Sequence, residues 1–165
     1  MMRGTKTVLL VVLLMFAGGG AMAAASPEPD QPTSNPDVAA TPLFTLTTFP
    51  NAWHPKRDLG PQLQIFSDGR AVKYVDARAN GHLPREALDA AIAETKSLAT
   101  VDFGDPTVTD QGSQIIDYMP QSPDQEAHLV IYAPDFTTGL TDEQIAARTR
   151  FHNLYRTLLD AFIHD

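Results

Sequence analysis

The stretch Gln62–Val75, QLQIFSDGRAVKYV, decides how this chain folds. Leu63 and Ile65 alternate with Gln62 and Gln64, and beyond Asp68-Gly69 the residues Val72 and Tyr74 share one face. A period of two marks a strand with two unlike faces. An Asp-Gly pair between two such runs predicts a β-hairpin on a type I′ turn, whose two central residues both need φ > 0.

Working outward, Leu43–Phe49 (LFTLTTF) sets Phe44 and Leu46 against Thr45 and Thr47 and reads as another strand. Residues 50–61, PNAWHPKRDLGP, hold three prolines and read as a loop. Downstream, residues 83–99 read as a helix: Pro84 suits its first turn, and Leu88, Ile92, Thr95 and Leu98 recur at helical spacing. Residues 107–109 (TVT) are expected to pair briefly as an edge strand. QIIDYM (114–119) and AHLVIYA (127–133) read as two further strands, the second so evenly apolar that it is expected in the middle of the sheet. The last helix begins with a capping-box pattern, Thr141-x-x-Gln144, and Phe151, Leu154, Tyr155, Leu158 and Phe162 form its apolar stripe, with Arg148, Arg150 and Arg156 mostly off it. The order β-ββ-α-ββ-α predicts an α+β domain over residues 43–165: an antiparallel sheet of about five strands with both helices on one face.

The residues before this domain are of another kind. Arg3 and Lys6 precede the apolar run Val8–Ala17, and two A-x-A sites end at Ala23 and Ala25. This order is that of a secretory signal peptide over residues 1–25, with the mature chain expected to start at Ala24 or Ser26. The alternative is an uncleaved N-terminal anchor. Residues 26–42 carry five prolines and almost no core-forming side chain, which predicts a disordered linker. Cysteine is absent, so disulfides, thiolate metal sites and a lipid-anchored cleavage point are excluded. The chain has 12 basic and 20 acidic residues; a leader that removes Arg3 and Lys6 leaves a net charge near −10. Nucleic acid and anionic membrane both call for a basic footprint, so neither is expected as a partner.

Candidate chemistry is sparse. Asp102-Phe103-Gly104 repeats the magnesium-binding tripeptide of protein kinases, but the Gly-rich loop and catalytic-loop Asp that give it meaning are missing. A connector is expected instead, with Phe103 folded on the core and Gly104 in a conformation other residues avoid. Asp102, Asp105 and Asp110 lack the tight regular spacing of a calcium loop and read as turn residues. His54, His82, His128, His152 and His164 include no H-x-x-x-H pair, and no G-x-S-x-G is present. No catalytic residue, cofactor or metal is therefore assigned. Trp53, His54, Lys56 and Arg57 form the most distinctive exposed cluster, an aromatic, an imidazole and two cations, and are the candidate interaction surface. The competing reading has Trp53 capping the edge of the core.

Four stretches, LQIFSDGRAV, DFGDPTVTDQGS, HLVIYAP and GLTDEQIAARTRFHNLYRTL, resemble a group of exported actinobacterial proteins of unknown function. These read strand–DGR–strand, helix, D-[YF]-G-x-P-x-[VI]-T-D, hairpin, GLT-x-x-Q-x-x-AR. Many look like lipoproteins; this chain lacks their lipobox cysteine. The resemblance implies export and an α+β domain and assigns no activity. The expectation is an exported, soluble, acidic domain, a non-enzymatic binding or accessory module at the cell envelope with a protein or ligand partner there or outside the cell, and no membrane span after cleavage. The alternative is a secreted hydrolase using dispersed carboxylates.

Overall fold

The computed structural model describes residues 41–51 and 60–165. The expected leader and most of the expected linker, up to residue 40, lie outside the described residues, as does the segment 52–59.

Seven strands and two helices follow in the order β1 (Phe44–Phe49), β2 (Leu63–Ile65), β3 (Arg70–Lys73), β4 (Ala79–His82), α1 (Arg85–Leu98), β5 (Ser113–Tyr118), β6 (Ala127–Tyr132), α2 (Asp142–Asp160) and β7 (Ile163–His164). They form one antiparallel sheet of order β6-β5-β1-β2-β3-β4-β7. The fold is α+β, as expected.

Register explains the core. Phe44 lies opposite Ile65 on one side and Tyr118 on the other, and Leu46 opposite Leu63 and Ile116. Leu129 continues that row from β6. All are buried, and they join Leu88 and Leu98 of α1 and Phe151, Leu154, Tyr155 and Leu158 of α2 in one cluster. Both helices therefore cover the same face. Thr45, Thr47, Gln64, Asp117 and His128 occupy the other.

The structure corrects several expectations. Two strands beyond the expected five are present, β4 and β7. Strand β4 is Ala-Asn-Gly-His, without apolar alternation, and a Cβ on Gly81 would come within 2.2 Å of the Ile163 carbonyl oxygen of β7. The pairing thus rests on close backbone approach, which hydropathy does not display. Residues 107–109 are no strand; the Thr107 N–H donates instead to the Thr138 carbonyl at 2.9 Å. The hairpin forms, but not on a type I′ turn. Of its turn residues only Gly69 has positive φ (89°), and the Gly69 N–H bonds the Phe66 carbonyl while the Phe66 N–H bonds the Arg70 carbonyl. This is the three-residue loop that ends in a left-handed glycine. Asp68 turns its carboxylate to the backbone N–H and Nε of Arg70. Strand β6, expected in the middle, lies at the edge, and β1 lies inside the sheet between β5 and β2.

Helix α2 starts as the pattern required. Thr141 Oγ1 accepts from the Gln144 N–H, and the Thr141 N–H donates to Gln144 Oε1. Helix α1 holds an unresolved cost: Thr95 is fully buried and its hydroxyl has no partner among the described residues. A buried hydroxyl without a hydrogen bond costs about 1–3 kcal/mol, so Thr95→Val should stabilise the domain by about 1 kcal/mol in urea unfolding. An equal loss would show that the hydroxyl is bonded in solution.

Among the described residues no helix is long and apolar enough to cross a membrane.

Candidate binding cleft at the end of the sheet

The stretch Asp102–Asp110 binds α2 to the sheet. Asp102 Oδ1 accepts the Gly104 N–H at 2.8 Å, closing a local turn, and its Oδ2 accepts from Gln144 Nε2 at 2.8 Å. Gln144 is thus used at both ends, since its Oε1 already caps the helix. Gly104 has φ 57°, and a Cβ there would lie 2.6 Å from the Gln144 side chain. Phe103 packs edge-on against Phe151, ring centroids 5.7 Å apart. Asp102, Gly104, Thr141 and Gln144, far apart in sequence, therefore meet at one place.

Arg148 completes the joint. It was expected mostly off the apolar stripe, yet it is only 5 % exposed. Its Nη1 donates to the carbonyls of Phe103 and Gly104, and its Nη2 to those of Tyr132 and Ala133 at 2.5 and 2.8 Å. A planar fork with five donors is suited to gathering carbonyls from two chain segments. Burial presses its pKa below the ordinary arginine value, and the Asp105 carboxylate opposes that shift.

The Gly104 N–H first, and Gln144 second, hold the Asp102 carboxyl below its ordinary pKa. A depressed carboxylate adds stability that is present above its unfolded pKa and is lost as pH falls through the folded one. Asp102→Asn should therefore be less stable than the parent at neutral pH and lose less stability as pH falls below about 5, so that the two profiles converge in acid. Thermal melts from neutral pH into acid check this; a parallel profile would show that Asp102 is not coupled to folding.

Beside this joint the end of β1, the start of β5 and the turn after β6 enclose a cleft of about 410 Å³, within the size of ligand sites. Phe49 and Phe136 stand half-exposed in its wall, at 38 % and 37 %. Gln114 contributes a buried Oε1 with no partner among the described residues. Ala133, also in the wall, holds φ 48°, a conformation that costs an alanine about 1–2 kcal/mol. It persists because the Ala133 N–H bonds the Gly112 carbonyl and its own carbonyl receives Arg148. Among the described lining residues Asp135 is the one carboxylate, so the facing pair used by glycosidases is not found there.

The sequence-predicted cluster Trp53, His54, Lys56 and Arg57 lies outside the described residues; the chain enters that segment from Asn51, on the cleft wall. His82 contacts Asp165 and His128 contacts Asp117, on separate strands. Among the described residues no three histidine or carboxylate groups converge as metal ligands. The cleft itself left no motif in the sequence. Its residues come from three distant segments, and its one signal, a glutamine facing the core side of a strand, is legible only once register is known.

No protein-family model, no curated protein and no solved structure matches the chain.

Proposed function

We propose that this is an exported, acidic binding module of the cell envelope whose ligand enters the cleft at the end of the sheet. The observation that carries the reading is the buried, unpartnered Gln114 acceptor behind two half-exposed phenylalanines. A buried acceptor calls for a donor, and exposed aromatics call for an apolar partner. Together they fit a ligand that presents an N–H or O–H beside apolar surface.

The leader, the linker and the resemblance to exported proteins support the location. N-terminal sequencing of secreted material should begin at Ala24 or Ser26; an intact Met1 in the membrane fraction would establish the anchor instead. The double variant Phe49→Ala/Phe136→Ala should melt within about 1 kcal/mol of the parent, because both rings are already half in water. It should also lose what the parent captures from envelope extracts. Undiminished capture would remove the cleft from the proposal.

A further inference from the structure

We infer that the free edge of β6 accepts an extended basic peptide as an eighth strand. The Ala133 N–H bonds the Gly112 carbonyl, which makes that pair a hydrogen-bonded one in the β5–β6 register. Bonding alternates along an antiparallel ladder, so Ala127, Leu129 and Ile131 bond β5, while His128, Val130 and Tyr132 turn their backbone groups away from it. On that outer side Arg148 takes the Tyr132 carbonyl. The N–H groups of all three residues and the carbonyls of His128 and Val130 face no strand among the described residues.

Three observations make this edge a docking site. The composition of β6 is that of an inner strand, and Val130 leaves a β-branched side chain 38 % exposed at the border. The usual edge defences, a lysine, a proline or a very short strand, are missing from its six residues. The opposite edge, β7, is two residues long and so has that protection.

Charge selects the occupant. From residue 97 to residue 147 the chain has no lysine or arginine and nine carboxylates. Asp124 and Glu126 precede β6, Asp135 follows it and Asp117 lies on the neighbouring strand; against these four acids stand two cations, Lys96, which donates to Gln125, and Arg148, whose guanidinium is taken up by four carbonyls, so the edge stays net acidic. A second copy paired symmetrically about Val130, the register that uses all three outward residues, would set Glu126 of each chain beside Pro134 and Asp135 of the other. Acid would then meet acid at both ends. A peptide with alternating apolar residues in its middle and lysine or arginine at its ends meets both demands: backbone bonds along the edge and opposite charge at its limits.

The test uses the full chain and two blocked peptides, KKTVTVTKK and EETVTVTEE, titrated by calorimetry and by amide NMR. The lysine peptide should bind, weaken as salt rises, and shift and protect the amides of His128, Val130 and Tyr132; the glutamate peptide should bind at least tenfold more weakly. Val130→Pro removes one outward N–H without touching the β5 ladder and should abolish binding, whereas Val130→Thr should retain it. Glu126→Lys/Asp135→Lys should reverse the preference between the peptides, so the idea stays testable even if the proline variant does not fold. Equal binding of both peptides, protection elsewhere, or a β6-dependent dimer in sedimentation would each overturn the inference.

Discussion

Arg148→Ala is expected to destabilise the domain by about 3–5 kcal/mol, the range seen when one side of a buried charged network is removed. Four carbonyls, those of Phe103, Gly104, Tyr132 and Ala133, would lose their donor together. Each buried polar group left unpaired costs about 1–3 kcal/mol, moderated where water can reach it. Arg148→Lys separates geometry from charge. An ammonium on a flexible stem cannot reach both segments with the same fork, so lysine should recover less than half of the loss. Urea unfolding of the three proteins checks this; full recovery by lysine would show that charge alone matters. The alanine variant should also relax Ala133, since the contact that holds its carbonyl would be gone.

Phe151→Ala should cost about as much, about 3–5 kcal/mol, the usual figure for emptying a phenylalanine from a core. Phe151 is fully buried, stacked near Tyr155 at 6.1 Å and met edge-on by Phe103. Its removal would take the packing partner from the Asp102–Asp110 connector and open a cavity between helix and sheet. Phe151→Leu keeps much of the volume and should cost clearly less, about 1–2 kcal/mol. A loss under about 1 kcal/mol for the alanine variant would mean that the core collapses around the gap.

The readable parts of the chain were those where one local signal had one physical meaning. Period-two alternation located β1 and β2, and Thr141 with Gln144 located the start of α2 to the residue; in β3 it is Ala71 that faces the core, while Val72 lies opposite Gln64 on the other face. Position in the sheet was harder. Leu129 and Ile131 face the core, and Val130 is apolar as well, so β6 has the composition of an inner strand while occupying an edge. Composition reports how many faces tolerate apolar side chains, not whether a neighbour is paired. Strand β4 was hidden because its pairing depends on the missing side chain of Gly81. Arg148 was misplaced because a cation read from sequence is assigned to water, and its carbonyl partners come from segments 15 to 45 residues away. The cleft was hidden for a related reason: Gln114, Phe49 and Phe136 acquire a common meaning only when three strand ends meet.

The strand order also gathers negative charge at one end of the sheet. Residues 60–84, which form β2, β3 and β4, hold Arg70, Lys73 and Arg78 against Asp68 and Asp76, and Asp165 lies beside His82 of β4, so that end is near balance. Residues 97–147, which form β5 and β6, hold nine acids and no lysine or arginine. Because β6 and β5 lie at one end of the sheet and β3 and β4 toward the other, this imbalance in sequence becomes an asymmetry of charge in space. Near an anionic surface such a body experiences a torque as well as repulsion, and both diminish beyond about 10 Å at ordinary ionic strength. The domain would turn its β3–β4 end toward that surface and hold the β6 edge outward, where an approaching cationic chain meets it first.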